Sequence, residues 1–109
     1  MSFNILPTDN FEKELKKLSK KYPSLKIDLK SLFDSLLEKP FQGTSIGKSC
    51  YKIRLAIKSK GKGKSGGARV ITNVFVTTET IYLLSIYDKS EYENISENKI
   101  QKILESITK

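Results

Sequence analysis

The chain has 109 residues, 38% of them hydrophobic, a formal net charge of +8, one cysteine and no histidine. That length supports one hydrophobic core; the lone Cys50 excludes an intramolecular disulfide, and the missing histidine removes the commonest zinc ligand and the usual near-neutral acid–base group. No apolar run approaches the ~20 residues that span a bilayer and MSFNILPTD lacks the marks of a secretory signal, so the expectation is a single cytoplasmic domain over residues 1–109, with no metal or other cofactor.

Ser2 to Leu6 reads as a short strand closed by Pro7. Thr8 or Asp9 can then cap a helix, with Glu12 at the spacing of a capping pair from Asp9. Phe11, Leu15, Leu18 and Tyr22 form its apolar stripe, and Pro23 ends it. Ser24 can cap a second helix whose stripe is Leu25, Leu29, Leu32, Phe33, Leu36 and Leu37, stopping before Pro40. The tight Tyr-Pro-Ser connection predicts an antiparallel helical hairpin. Phe41 to Ser49 reads as a loop.

The apolar period then changes from 3.6 to 2. Tyr51, Ile53, Leu55 and Ile57 alternate with Lys52, Arg54, Ala56 and Lys58, which predicts a strand with one apolar and one basic face. A second strand runs from Ala68 to Thr77, with Val70, Thr72, Val74 and Val76 on one face and Arg69, Ile71, Asn73 and Phe75 on the other. IYLLSIY, from Ile81 to Tyr87, is apolar on both faces and should be the most buried strand. Ser96 can cap a last helix with stripe Ile100, Ile103, Leu104 and Ile107. The order predicts an α+β fold: a short N-terminal strand, a helical hairpin, three antiparallel strands and a C-terminal helix.

Between the first two of those three strands lies KSKGKGKSGGAR, with lysines at Lys58, Lys60, Lys62 and Lys64. It sits inside a 40-residue window, Lys39 to Thr78, that carries nine positive and no negative side chains, while the segments on either side have net charges of +1 and −2. Such a field favours polyanionic partners. Arg54 and Arg69 are the only two arginines among twenty basic residues, and both flank the loop. Antiparallel pairing could bring Arg54, Arg69 and Tyr87 or Lys89 together in a cationic cleft.

Against RNA, such a cleft could support attack of a 2′-hydroxyl on the adjacent phosphate. That reaction needs a base, positive charge on the transition state and an acid for the leaving oxygen. A lysine crowded by like charge can act as base, and Lys52 beside Arg54 has that neighbour. Planar arginine forks suit phosphate oxygens, and Tyr87 could stack on a base or orient the attacking group. The four loop lysines would hold the strand.

Taken singly, each feature also has an ordinary reading. The Lys/Gly loop could be a solvated hairpin connection, Arg69 a partner for a carboxylate, and Lys52 with Arg54 a solvated sheet face. Tyr87 could be a core residue whose hydroxyl bonds to backbone. Lys89 could pair with Asp88 or Glu91 at the surface, and Cys50 could be a buried filler.

Together, CYKIRLAIKSKGKGKSGGARVITNVF and IYLLSIYDKSE resemble the RelE/ParE superfamily of type II toxin–antitoxin toxins, particularly its RelE/HigB-like branch. The resemblance implies a RelE-like fold and a metal-independent mRNA endonuclease acting on translated messages at the ribosomal A site. It implies as partners mRNA, the ribosome, a cognate antitoxin and, through the antitoxin complex, operator DNA. Lys52 and Arg54 match the family's basic pair before the loop, and Arg69 the arginine after it. Lys89 matches a residue that is an arginine, proposed as general acid, in the best-known members; Tyr87 and Tyr92 are candidates for their functional tyrosine. The gyrase-directed ParE branch shares the fold but generally lacks this basic set. A gyrase-directed toxin and an inactive nucleic-acid-binding module are the alternatives.

Overall fold

The computed structural model describes residues 2–107. Strand β1 (Asn4–Pro7) is followed by helices α1 (Asp9–Lys21) and α2 (Leu25–Glu38). Strands β2 (Thr44–Gly47), β3 (Cys50–Leu55), β4 (Ala68–Phe75) and β5 (Thr80–Asp88) come next, and helix α3 (Glu97–Ile107) closes the order. Lys58–Lys60 and Val76–Thr78 form single 3-10 turns. The strands make one sheet in the order β1-β5-β4-β3-β2, antiparallel except for β1 beside β5.

The expected caps settle as follows. The Thr8 hydroxyl accepts from the Phe11 N–H at 3.1 Å and donates to the Leu83 carbonyl at 2.8 Å, so one residue starts α1 and fixes it to β5. Ser96 accepts from the Lys99 N–H at 3.1 Å and starts α3. Ser24 precedes α2, but its hydroxyl donates to Asp28 and caps no helix amide.

Two clusters form, one on each face of the sheet. Phe11, Leu18, Leu25, Leu29 and Leu36 of the helical hairpin pack with Ile53, Leu55 and Val70 beneath them. Ile100 and Ile103 of α3 pack on the opposite face, over Cys50, Ile71, Leu84 and Tyr87. The alternation in β3 is therefore real: Ile53 and Leu55 point to the hairpin, leaving Lys52 and Arg54 on the α3 side.

Three expectations need correcting, the first being the strand expected to alternate through Ile57 and Lys58, which ends at Leu55 before Lys58 opens a 3-10 turn. The stretch Phe41 to Ser49 is not all loop, because Thr44–Gly47 pairs as the edge strand β2. Lys48 and Ser49, at φ 55° and 61°, reverse the chain between β2 and β3 as the two-residue turn whose twist suits a hairpin, and Asn73 donates to the Lys48 carbonyl at 3.0 Å. The strand expected to reach Thr77 stops at Phe75, where the 3-10 turn turns Val76 out to 54% exposure.

The double-sided apolar character of β5 also has a local cause. Thr72 pairs with Leu83 and Ile71 with Ser85, so Leu84 is an extra residue in the ladder. Its insertion switches the phase: Ile81, Leu83 and Ile86 face the hairpin, whereas Leu84 and Tyr87 face α3. Side chains of α1 satisfy the disturbed backbone. Asn10 donates to the Leu84 carbonyl at 2.9 Å, and Glu14 accepts from Ser85 Oγ at 2.7 Å and the Ile86 N–H at 3.2 Å. The other Glu14 oxygen meets Lys99 of α3 at 2.7 Å, joining the two layers around the sheet edge.

Candidate active site

The strand register places Arg54 opposite Arg69 and Arg69 opposite Tyr87. Directly paired residues on antiparallel strands lie about 5 Å apart and share a face, so the two arginines stand side by side on the α3 face. Neither is in a salt bridge among the described residues. Like charges placed directly opposite one another destabilise a sheet. A pair kept without a carboxylate breaks a local rule in the manner of functional sites.

The two guanidinium groups have different surroundings. Arg54 is exposed and has no partner among the described residues. Arg69 is only 5% exposed, and it donates to the Lys64 carbonyl at 3.1 Å, the Ala68 carbonyl at 3.0 Å and the Ser65 carbonyl at 3.2 Å. Arg69 therefore grips the Lys/Gly loop instead of a carboxylate. Lys52 is half-buried, and its ammonium donates to Asn94 Oδ1 at 2.7 Å, reaching the segment that leads into α3.

Pairing between β2 and β3 ends at Thr44 and Lys52, so β3 has a free edge beyond that point. A groove of about 570 Å³ runs along this edge toward α2, and Lys52, Arg54, Lys58 and Lys64 all line it. The groove shares Arg54 with the cleft expected from the sequence, but Arg69, Tyr87 and Lys89 do not line it, and Asp28 lies in its wall.

The loop is held in place rather than loose. The Lys58 N–H donates to Asp28 at 3.1 Å, the Ser59 N–H to Ser24 Oγ at 2.9 Å, and the Lys89 N–H to the Gly67 carbonyl at 3.1 Å. Gly67 lies so close to β3 that a Cβ there would sit 2.1 Å from the Leu55 carbonyl oxygen. Lys58, Lys62 and Lys64 are exposed. Lys60 is not: its side chain is 11% exposed and its ammonium lies 2.6 Å from Asp88 Oδ1.

Asp88, fully buried at the end of β5, also accepts from the Tyr22 hydroxyl at 2.5 Å and from the Ser90 N–H and hydroxyl at 2.9 and 2.8 Å. Burial alone would push this carboxyl up, but the bonds from Lys60, Tyr22 and Ser90 more than reverse it and hold it well below the usual carboxylate range. The bond to Asp88, with burial, pushes the Tyr22 hydroxyl up to about 12. A carboxyl lowered on folding contributes stability above its unfolded value of about 4 and loses it as pH falls. Urea midpoints should therefore drop below pH ~4, and the drop should be shallower in Asp88→Asn; equal slopes in both proteins would contradict this.

Tyr87 is buried, donates to the Glu93 carbonyl at 3.3 Å and stacks on Tyr92 with ring centroids 4.4 Å apart. Burial pushes its hydroxyl up. The exposed member of the stack is Tyr92, at 37%. Lys89 is half-buried, and its ammonium has no partner among the described residues, so the ion pairs considered for it with Asp88 and Glu91 do not form.

No family model matches the chain. Among solved structures, a double arginine-to-alanine mutant of E. coli toxin RelE in the free state aligns at 19% identity over 99% of this chain and 100% of that one, with a TM-score of 0.64. The fold is that of RelE. A second structure, isolated E. coli RelE toxin, covers 97% of this chain and 100% of its own at 19% identity and a TM-score of 0.62. A third, the same double mutant in complex with an antitoxin RelBc peptide, covers 100% and 98% at 19% identity and 0.62.

On this RelE-like fold the register brings Arg54, Arg69 and Tyr87 into one row, with Lys52 two residues along β3. Lys89 lies at the end of β5, tied to the loop exit through its backbone. Lys60 is drawn away from the exposed lysines by Asp88. What sequence reasoning missed is that carboxylate and its partner Tyr22. The one available signal was an acid directly continuing the apolar run IYLLSIY.

Proposed function

We propose that this chain is the toxin of a type II toxin–antitoxin system and an endoribonuclease that cleaves translated messages at the ribosomal A site. The single observation that carries the reading is the pair of adjacent, carboxylate-free arginines on a RelE-like sheet. In the proposed reaction the 2′-hydroxyl oxygen bonds to the adjacent phosphorus as the bond to the 5′-oxygen breaks. The products carry a 2′,3′-cyclic phosphate and a 5′-hydroxyl, and no metal ion takes part.

Lys52 takes the hydroxyl proton, and Arg54, with Arg69 directly behind it, stabilises the charge that develops on the phosphate oxygens. Lys89 gives a proton to the leaving oxygen. Lys58, Lys62 and Lys64 hold neighbouring phosphates, and Tyr92 stacks on a base with Tyr87 packed beneath it. The fold likeness to E. coli RelE bound to an antitoxin RelBc peptide supports a cognate antitoxin as partner. An acidic segment of that antitoxin would suit the cationic groove.

Brief induction should arrest growth and produce new RNA 5′ ends inside reading frames. Intact messages accompanied by DNA damage would instead identify a gyrase-directed toxin. Growth arrest with neither effect would remove nuclease activity from the account.

A further inference from the structure

We infer that Lys60, Asp88 and Tyr22 form a buried latch that positions the Lys58–Gly67 loop and Lys89 against the arginine row; the inference rests on the cleavage reading above. The acid-free window has no carboxylate of its own to fix a ten-residue loop rich in lysine and glycine. Two buried acids from outside it do so. Asp28 of α2 holds the Lys58 N–H, and Asp88 of β5 holds the Lys60 ammonium. The Tyr22 ring lies 5.8 Å from that ammonium, and its hydroxyl takes the second Asp88 oxygen.

The same carboxylate shapes the next turn of chain. Asp88 Oδ1 accepts from both the N–H and the hydroxyl of Ser90, and the Asp88 carbonyl accepts from the Glu91 N–H at 3.0 Å. Lys89 lies inside that turn, with its own N–H on Gly67. One buried acid therefore sets the loop entrance and the proposed general acid together, while Arg69 holds the middle of the loop through Lys64 and Ser65. Buried ion pairs are weak stabilisers compared with apolar replacements of equal volume, and their best-attested use is to specify one arrangement. Lys60, Asp88 and Tyr22 touch no substrate in this scheme and are positioning residues.

The test compares Lys60→Met, which keeps the stem and removes the charge, with Lys60→Arg, which restores it. With ribosome-bound message as substrate, Lys60→Met should lower kcat about 10- to 100-fold, the scale of a misplacement of about 1 Å, and leave KM within about threefold, because the exposed lysines remain. Lys60→Arg should recover most of kcat. Trypsin should nick Lys60→Met after Lys62 and Lys64 faster than the wild type. Unchanged kcat in Lys60→Met, or equal impairment of the Met and Arg variants, overturns the latch. If the wild type cleaves no RNA the functional reading fails, and the trypsin comparison still decides: equal nicking overturns the latch, and faster nicking of Lys60→Met sustains it as a loop anchor.

Discussion

Arg54→Ala is expected to lower message cleavage by about 100- to 1,000-fold, the loss seen when one preorganised donor to a developing oxyanion is removed. Its effect on stability should be small. Arg54 is exposed and has no partner among the described residues, and surface substitutions of that kind shift stability by about 0.5 kcal/mol or less. Removing it also relieves the opposition with Arg69. Single-turnover cleavage measured beside urea unfolding checks both halves, and a folded Arg54→Ala protein that cleaves at the wild-type rate would remove Arg54 from the chemistry. Arg69→Ala is a poorer probe, because it also releases the Lys64 and Ser65 carbonyls through which Arg69 holds the loop.

Asp88→Ala is expected to cost about 3–5 kcal/mol, the usual loss when one partner of a buried ion pair is deleted. The Lys60 ammonium would be left at 11% exposure without its counter-charge, and the buried Tyr22 hydroxyl without its acceptor. The Lys30–Asp34 pair on α2 is the internal control. Its side chains are 78% and 68% exposed, and exposed pairs contribute about 0–1 kcal/mol, so Lys30→Ala should leave the urea midpoint nearly unchanged. A loss below about 1 kcal/mol for Asp88→Ala would mean that Lys60 escapes to water at little cost.

The helical hairpin, β3 and α3 were legible because their apolar residues repeat at 3.6 or 2 positions, and one face of each meets a core. Strand β2 was not, since Thr44–Gly47 is a four-residue edge strand without an alternating pattern. What makes it a strand is the left-handed backbone of Lys48 and Ser49 and its pairing to β3, and neither leaves a strong local signal. The bulge at Leu84 was hidden for a related reason. An apolar run that serves both faces looks the same with or without an extra residue, and only the pairing to β4 reveals it.

In the site, the row of Arg54, Arg69 and Tyr87 was legible because a hairpin with alternating faces fixes which residues oppose each other. The partners that decide each side chain's freedom were not, because they come from distant chain. Lys60 reads as one of four equivalent lysines until Asp88, 28 residues further on, draws it inward. Tyr87 reads as a stacking tyrosine until the segment after β5 folds over it, with Glu93 taking its hydroxyl and Tyr92 its ring face.

The central claim, that the arginine row serves RNA cleavage by 2′-hydroxyl attack, is tested most directly by the chemistry of the fragment ends. Purified protein added to ribosomes carrying a defined message, with chelator present, should yield upstream fragments ending in a 2′,3′-cyclic phosphate and downstream fragments beginning with a 5′-hydroxyl; Arg54→Ala should yield almost none. Uncut message, or fragments ending in a 3′-hydroxyl, would contradict the account.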